Sequence, residues 1–258
     1  MKLAYFYPLL TLSTCLAQTT DRVEIERMTH AEIHEALHKQ GKTTVLIYNG
    51  GTEQRGPHAV QGGHTFMARR TAEAIARKLG NALVAPVLPF SPAGSHLNAN
   101  WPGSVDLPAG LYVKVNEAVV ASMVTNGFKN IVLMGDHGGA QADLARLAGT
   151  LNTQYTPQGA HVYFCSSVYK EARDDFNKWL KENKLPVGTH ASIPDTSELM
   201  YLGGEEYVRK KRVVVGTKEN GITGDPRPST PELGKRVFDM KVDYGVAEIQ
   251  KLIGRSAR

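Results

Sequence analysis

Apolar residues along the chain fall in short, unbroken runs. Four such runs lie at residues 45–48, 83–88, 131–134 and 162–164. Continuous apolar runs of this length predict strands that are buried on both faces of a sheet. Strands of this kind are typical of parallel sheets, whose connecting helices cover both sides.

Between these runs, apolar or small residues recur at helical spacing. One pattern covers residues 67–79, and others cover residues 111–123, 144–155 and 233–247. Gly127 stands where a helix C-terminus places glycine, and Thr230 with Pro231 and Glu232 forms a helix start signal. Strands that alternate with helices predict an α/β fold with a mostly parallel sheet. The length of 258 residues suits a single domain.

The first residues resemble a secretory signal. Lys2 precedes an apolar run, and small residues lead to Ala17. We therefore expect a signal peptide at 1–17, a mature domain at 18–258, and export to the periplasm or medium. A lipid anchor through Cys15 and a buried N-terminal strand are the alternatives. The run is shorter than the roughly 20 apolar residues that a membrane span requires, so no transmembrane segment is predicted.

Cysteine content and charge narrow the class of protein. Cys15 and Cys165 are the two cysteines, so the mature chain excludes a disulfide scaffold and a thiolate metal cluster. The formal net charge of +5 comes from scattered basic residues. This pattern is typical of a solvated face and gives no sign of a nucleic-acid or membrane surface.

Ionisable side chains gather in three loops, two of them directly after predicted strands. In α/β sheets the functional site lies beyond the carboxyl ends of the strands. Carboxylates and neutral imidazoles at one sheet edge are the ligands preferred by Zn²⁺ and related ions. The side chains are Glu53, Arg55, His58, His64, Asp136, His137, His190 and Asp195.

Three motifs in these loops resemble the creatininase (creatinine amidohydrolase) family. They are Thr-Glu-Gln-Arg-Gly-Pro-His at 52–58, His-Gly-Gly at 137–139 and His-Ala with Asp-Thr-Ser between 190 and 197. The resemblance implies a three-layer α/β/α sandwich, often assembled as a homo-hexamer. It also implies two divalent ions, commonly Zn²⁺ or Mn²⁺, and hydrolysis of cyclic or linear amides. Glu53 and His137 match family metal ligands, and His190 matches a residue near the substrate.

Three positions depart from the family pattern. Arg55 stands in place of a histidine ligand, His64 in place of a bridging aspartate, and Gly139 in place of a carboxylate. Arginine stays protonated and cannot bind a cation, and an imidazole cannot bridge two ions. We therefore predict one ion rather than two, zinc with manganese or iron as alternatives. Its predicted ligands are Glu53, His64 and His137. Asp195 is either a fourth ligand or a hydrogen-bond partner of one of these ligands.

The remaining side chains receive roles around this ion. His190 or Asp136 is the general base and then the acid, and Asp136 is alternatively the partner of a ligating histidine. Arg55 binds a substrate carboxylate or an oxyanion, or instead turns outward to a surface acid. His58 orients substrate or caps its loop.

The predicted function is therefore hydrolysis of an amide or cyclic-amide C–N bond in a small molecule by a metal-activated water. A non-catalytic exported binding protein on a degenerate creatininase fold is the alternative. A hydrolase that uses Ser197 is a second alternative, although the Gly-x-Ser-x-Gly elbow is missing. We expect Ser197 instead to cap a helix, and residues 220–228 to be a connector, with a substrate lid or an oligomer contact as alternatives.

Overall fold

The structure, a computed structural model, describes residues 22–256. The predicted signal peptide at 1–17 lies outside this range. Four strands and seven α-helices alternate along the described residues. In chain order they are α1 (His30–His38), β1 (Thr44–Asn49), α2 (Gly63–Leu79), β2 (Ala82–Val84), α3 (Ala109–Thr125), β3 (Asn130–Gly135), α4 (Gln141–Tyr155), β4 (His161–Phe164), α5 (Lys170–Glu182), α6 (Ile193–Tyr207) and α7 (Pro231–Ser256).

The four strands form one parallel sheet in the order β2-β1-β3-β4. The parallel sheet and its four strands confirm the α/β prediction. β2 is shorter than its apolar run, because pairing with β1 ends at Val84. Pro86 follows two residues later and has no N–H to continue the ladder.

The side chains of β1 alternate between two hydrophobic cores. Val45 and Ile47 pack with α1, α3 and α4, whereas Leu46 and Tyr48 pack with α2 and α7. All four side chains are almost fully buried. Helices therefore cover both faces of the sheet, and the predicted three-layer α/β/α sandwich is confirmed. Within residues 22–256, no helix is both long and apolar enough to cross a membrane.

The predicted helix ends agree with the structure. Gly127 follows α3 with a φ of 96°, and Oγ1 of Thr230 accepts a hydrogen bond from the N–H of Leu233 at the start of α7. The prediction for Ser197 is wrong: α6 begins at Ile193 after Ser192, so Ser197 lies inside the helix and is fully buried. At that point Gly234 of α7 lies against the Ser197 carbonyl.

The loops that follow β1 and β3 meet at the carboxyl edge of the sheet. The N–H of Asp136, in the loop after β3, donates to the carbonyl of Asn49 at the end of β1 over 2.9 Å. Gly50 lets the first loop approach α2, since a Cβ at this position would lie 2.5 Å from Cα of Thr65. This close approach places His64, in the first turn of α2, beside the residues that follow β1.

Candidate metal centre

Glu53 lies at the centre of an imidazole cluster. Its side chain is buried, and Nε2 of His64 lies 3.0 Å from Oε1. Nε2 of His137 lies 2.8 Å from Oε2. One atom from each of these three residues lies within 4.8 Å of the others. Two imidazoles and a carboxylate at this spacing form a donor set suited to a divalent ion such as Zn²⁺.

The two oxygens of Glu53 differ in their hydrogen bonding. Among the described residues, buried Oε2 has no hydrogen-bond partner, although Nε2 of His137 lies 2.8 Å away. Burial opposes the charged carboxylate, but the adjacent imidazoles of His137 and His64 hold the pKa of Glu53 well below its usual range. A buried, ionised carboxylate with an unused lone pair fits a cation at this point.

A second layer of polar residues supports His64. Nδ1 of His64 lies 2.8 Å from Oδ2 of Asp136, and Nζ of Lys241 lies 2.5 Å from Oδ1. Tyr48 donates its hydroxyl to the same Oδ1 over 3.2 Å, and Lys241 also contacts Glu198 at 3.0 Å. Both carboxylate oxygens of Asp136 thus have partners, and one of them orients the ring of His64. Contacts of this kind are typical of a carboxylate that orients a metal-binding histidine.

The charges of this layer shift the pKa values of its members. Burial opposes ionisation of Asp136, but the ammonium of Lys241 and the ring of His64 lower its pKa. Burial and the charge of Arg55 disfavour protonated His64, as does the N-terminal end of α2. Hydrogen bonds to Asp136 and Glu53 outweigh these effects and raise the pKa of His64. In the metal-free site, a proton therefore competes with an ion for Nε2 of His64.

Arg55 points into the protein, so the alternative that it pairs with a surface acid is wrong. Its side chain is fully buried, 3.8 Å from Oε1 of Glu53 and 3.3 Å from Oδ2 of Asp195. Among residues 22–256, none accepts a hydrogen bond from its three side-chain nitrogens. The guanidinium lies behind the carboxylates and acts on them as a fixed charge.

Asp195 and His58 also lie apart from the three converging residues. Oδ2 of Asp195 accepts a hydrogen bond from the N–H of Ala191 over 2.8 Å and pairs with Arg55. His58 is buried, and its Nε2 contacts Oγ1 of Thr196 over 2.9 Å. Burial, aided by the charge of Arg55, lowers the pKa of His58 to about 4. The structure therefore places His58 under the site, where its contact is with α6.

A cavity of about 370 Å³ opens over Glu53. His64, His137, His190 and Asp195 line it together with Glu53, which brings five of the eight predicted site residues to one surface. Residues 94–96, Arg173 and Thr223 complete much of the wall. The N–H of Thr223 also donates a hydrogen bond to the carbonyl of His190 over 3.0 Å, so the predicted connector at 220–228 contributes to the site.

The sequence analysis missed His96. Its ring stacks on that of His190 with centroids 4.0 Å apart, and its Nε2 lies 3.9 Å from Oε2 of Glu53. One potential ligand atom from each of Glu53, His96 and His190 also lies within 4.8 Å of the others. His96 follows β2 along the chain, so the rule that sites lie beyond strand ends would have included it. It stands in no motif, and this is why it was overlooked.

Comparisons with known proteins agree with this architecture. The sequence profile described as creatininase, creatinine amidohydrolase, matches residues 26–249. The mycofactocin precursor peptide peptidase of Mycobacterium tuberculosis is 24% identical over 231 residues, which cover 81% of this chain and 85% of that one. A crystal structure of creatinine amidohydrolase superposes with a TM-score of 0.75 at 18% identity, covering 90% of this chain and 98% of that one.

A mutant creatininase of Zn–Zn type superposes with a TM-score of 0.74 at 17% identity, over 90% of this chain and 98% of that one. At this level of identity the structural likeness establishes the fold. The profile match extends across most of the described residues and includes every motif discussed above. This chain belongs to the creatininase family, whose members are hydrolases.

Proposed function

We propose that this protein is a metal-dependent hydrolase that cleaves an amide or cyclic-amide C–N bond in a small molecule. The observation that carries the proposal is the convergence of Glu53, His64 and His137 at the floor of an open cavity. A bound divalent ion would polarise the scissile carbonyl and lower the pKa of a water molecule towards about 7. Zinc is the proposed ion, with manganese or iron as alternatives, because two imidazoles and one carboxylate favour it.

The histidines would have to give up a proton to bind an ion. Nε2 of His64 would hold the ion while Nδ1 keeps its hydrogen bond to Asp136, which already orients the ring. Nδ1 of His137 accepts a long hydrogen bond of 3.3 Å from the N–H of Gly139. Ligation through Nε2 puts the proton on Nδ1 and removes this weak contact.

A single ion is proposed because a fixed cation already lies beside the ligands. The guanidinium of Arg55 is buried 3.8 Å from Glu53 and 3.3 Å from Asp195. The charge of Arg55 compensates the charges of these two carboxylates. It would also repel a second divalent ion, because repulsion between like charges is strong in the low dielectric of the protein interior. Asp195 is engaged by Arg55 and by Ala191, which supports a positioning role for it. Arg55 acts on substrate through its field, since its side chain is fully buried.

The substrate class follows from the cavity and from the relatives. A volume of about 370 Å³ suits a small molecule or a short peptide end. The relatives are named as a peptidase and as creatinine amidohydrolase, and both names denote hydrolysis of amide bonds. His190 lines the cavity 3.5 Å from Glu53 and is the proposed general base. Hexameric assembly and export stay predictions from the sequence.

The test is the metal content of purified protein. Wild type, Glu53→Gln and the control Glu35→Gln, which changes an exposed residue of α1, are analysed by elemental mass spectrometry after incubation with Zn²⁺ and desalting. We expect one tightly bound ion per chain in wild type and control, and its loss in Glu53→Gln. The rate of hydrolysis of creatinine, hydantoin and dipeptides is then measured before and after the ion is removed with a chelator. Wild type without a stoichiometric ion, and without chelator-sensitive hydrolysis, would support the non-catalytic alternative instead.

A further inference from the structure

Gln54 connects the stacked imidazoles of His96 and His190. Its amide nitrogen lies 3.1 Å from Nδ1 of His96 and 3.1 Å from Nε2 of His190. The backbone carbonyl of the same glutamine lies 2.8 Å from Nε2 of His190. Both rings are mostly buried, so each short polar contact must be a hydrogen bond or a repulsion.

The position of the His190 proton follows from its shortest contact. A carbonyl oxygen only accepts, and two lone pairs at 2.8 Å would repel each other. Nε2 of His190 therefore carries the hydrogen and donates it to the carbonyl of Gln54. In the neutral ring, Nδ1 is then bare, and it faces the cavity 3.5 Å from Oε1 of Glu53.

The Gln54 amide is oriented by two backbone groups. Its Oε1 accepts the N–H of Gly56 over 3.0 Å, and its Nε2 donates to the carbonyl of Gly221 over 3.2 Å. Exchanging the two amide atoms would break both bonds. One hydrogen of the amide nitrogen remains, and Nε2 of His190 cannot accept it because that atom is protonated. The hydrogen goes to Nδ1 of His96, so the proton of His96 lies on Nε2, which faces the cavity.

We infer that Gln54 holds both His96 and His190 in the Nε2–H tautomer with opposite ring edges towards the cavity, so that a hydrogen-bond donor at Nε2 of His96 lies beside a proton acceptor at Nδ1 of His190. In the hydrolysis proposed above, on which this assignment of roles rests, His190 is the base and then the acid, and His96 is a hydrogen-bond donor that keeps its proton. Gln54 is a positioning residue. Burial supports the neutral form of both rings, since it lowers the pKa of His190 to about 4 and also lowers that of His96.

The proton balance of the reaction fits two rings in these states. Nδ1 of His190 takes one proton from water while the water oxygen bonds to the carbonyl carbon. The same proton passes from Nδ1 of His190 to the leaving nitrogen as the C–N bond breaks, while the Nε2–H of His96 donates a hydrogen bond to the reacting group and keeps its proton. The second water proton leaves the new carboxylic acid for solvent. The products are a carboxylate, an amine and one proton.

The same two rings would act differently in a second metal site. Ligation of an ion between Glu53, His96 and His190 requires a bare Nε2 on His96. In that state the proton of His96 lies on Nδ1, where it would face the amide hydrogen that Gln54 points at the same atom. The Gln54 contacts therefore favour this pair of a hydrogen-bond donor and a base over a second ion.

The tautomers can be read directly by NMR without substrate or metal. Long-range ¹H–¹⁵N correlations of metal-free, ¹⁵N-histidine-labelled protein at pH 8 report which ring nitrogen is protonated, and His96→Asn and His190→Asn assign the signals. We expect a protonated Nε2 on both rings. A proton on Nδ1 of either ring overturns the inference. Because no ion is present, this result is independent of whether the protein binds metal or hydrolyses amides.

Gln54→Glu tests the cause of the tautomer. A carboxylate at this position accepts, so we expect the His96 proton to move to Nδ1 while His190, bonded to the backbone carbonyl, keeps its state. Gln40→Glu adds the same charge at an exposed position and leaves both rings unchanged. An unchanged His96 in Gln54→Glu overturns the positioning role.

Titration of the wild-type sample with Zn²⁺ separates this donor–base pair from a second metal site. We expect one equivalent to perturb His64 and His137 while Nε2 of His96 keeps its proton. Replacement of that proton by a second equivalent of zinc would establish a metal site instead and overturn the assignment of His96.

Discussion

Nδ1 of His64 lies 2.8 Å from Oδ2 of Asp136, and this contact couples the candidate metal centre to a buried lysine on the last helix. The other oxygen of Asp136 contacts Lys241, 105 residues further along the chain. His64 faces the cavity on one side and this charge pair on the other. The orientation of a proposed ligand therefore depends on a residue that does not touch the cavity.

Replacement of Asp136 by asparagine is expected to weaken zinc binding by roughly 10–100-fold. The amide can accept at one atom only, so its NH₂ must face either the N–H of His64 or the ammonium of Lys241. Competition with a chelating dye measures the affinity of the wild type and of Asp136→Asn. Asp239→Asn, which alters a surface ion pair with Lys235, serves as control and keeps the wild-type affinity. Equal affinities in all three proteins would remove Asp136 from the support of the site.

Removal of the Lys241 charge is expected to destabilise the fold by about 3–5 kcal/mol, because it leaves Asp136 and Glu198 as uncompensated buried carboxylates. Urea unfolding of the metal-free Lys241→Met variant measures the loss. Lys235→Met removes an exposed lysine from the same helix, where an ion pair contributes about 0–1 kcal/mol. Similar unfolding free energies for the two variants would contradict the buried network.

His58 is expected to make stability depend on pH between about 4 and 6.5. Its pKa is about 4 in the folded protein and about 6.5 in the unfolded chain, so the unfolded state binds more protons in this window. The contribution of neutral His58 to the free energy of unfolding is fully present above pH 6.5. As the pH drops, this contribution decreases by up to about 1.4 kcal/mol per pH unit until it levels off near pH 4.

The difference between wild type and His58→Gln isolates this contribution, since other titrating groups are common to both. Unfolding free energies of the two metal-free proteins are measured at pH 8, 6, 5 and 4. We expect the wild type to lose more stability than His58→Gln across this range. Parallel pH profiles would show that His58 is as easily protonated in the folded protein as in the unfolded chain.

Packing between α6 and α7 depends on Gly234. A Cβ at this position would lie 1.9 Å from the carbonyl oxygen of Ser197, so Gly234→Ala must push the two helices apart. The expected destabilisation is about 1–3 kcal/mol by thermal or urea unfolding. Gly254→Ala in the same helix meets open space and should gain roughly 0.5–1 kcal/mol from helix propensity. A neutral Gly234→Ala would show that the helices are less tightly packed than described.

Local patterns in the sequence were sufficient for much of the fold. Runs such as 45–48 and 131–134 became adjacent parallel strands, and Thr230 with Pro231 marked the start of α7, because side-chain periodicity and capping act over a few residues. The carboxyl ends of parallel strands share one edge, so the loops of Glu53 and His137 were expected to meet. Two local predictions did not hold. The apolar run at 83–88 is longer than β2, because pairing with β1 ends at Val84. Ser197 does not cap a helix, because α6 begins at Ile193.

The sequence by itself determined the α/β fold, the family and the edge of the sheet where ionisable side chains gather, since these follow from local periodicity and motif order. Only the tertiary structure decided which way those side chains point. It turned Arg55 inward, placed Lys241 behind Asp136 and stacked His96 on His190. The reason is physical: burial and hydrogen bonding at these positions depend on segments that are distant along the chain and meet only after the sheet and helices pack.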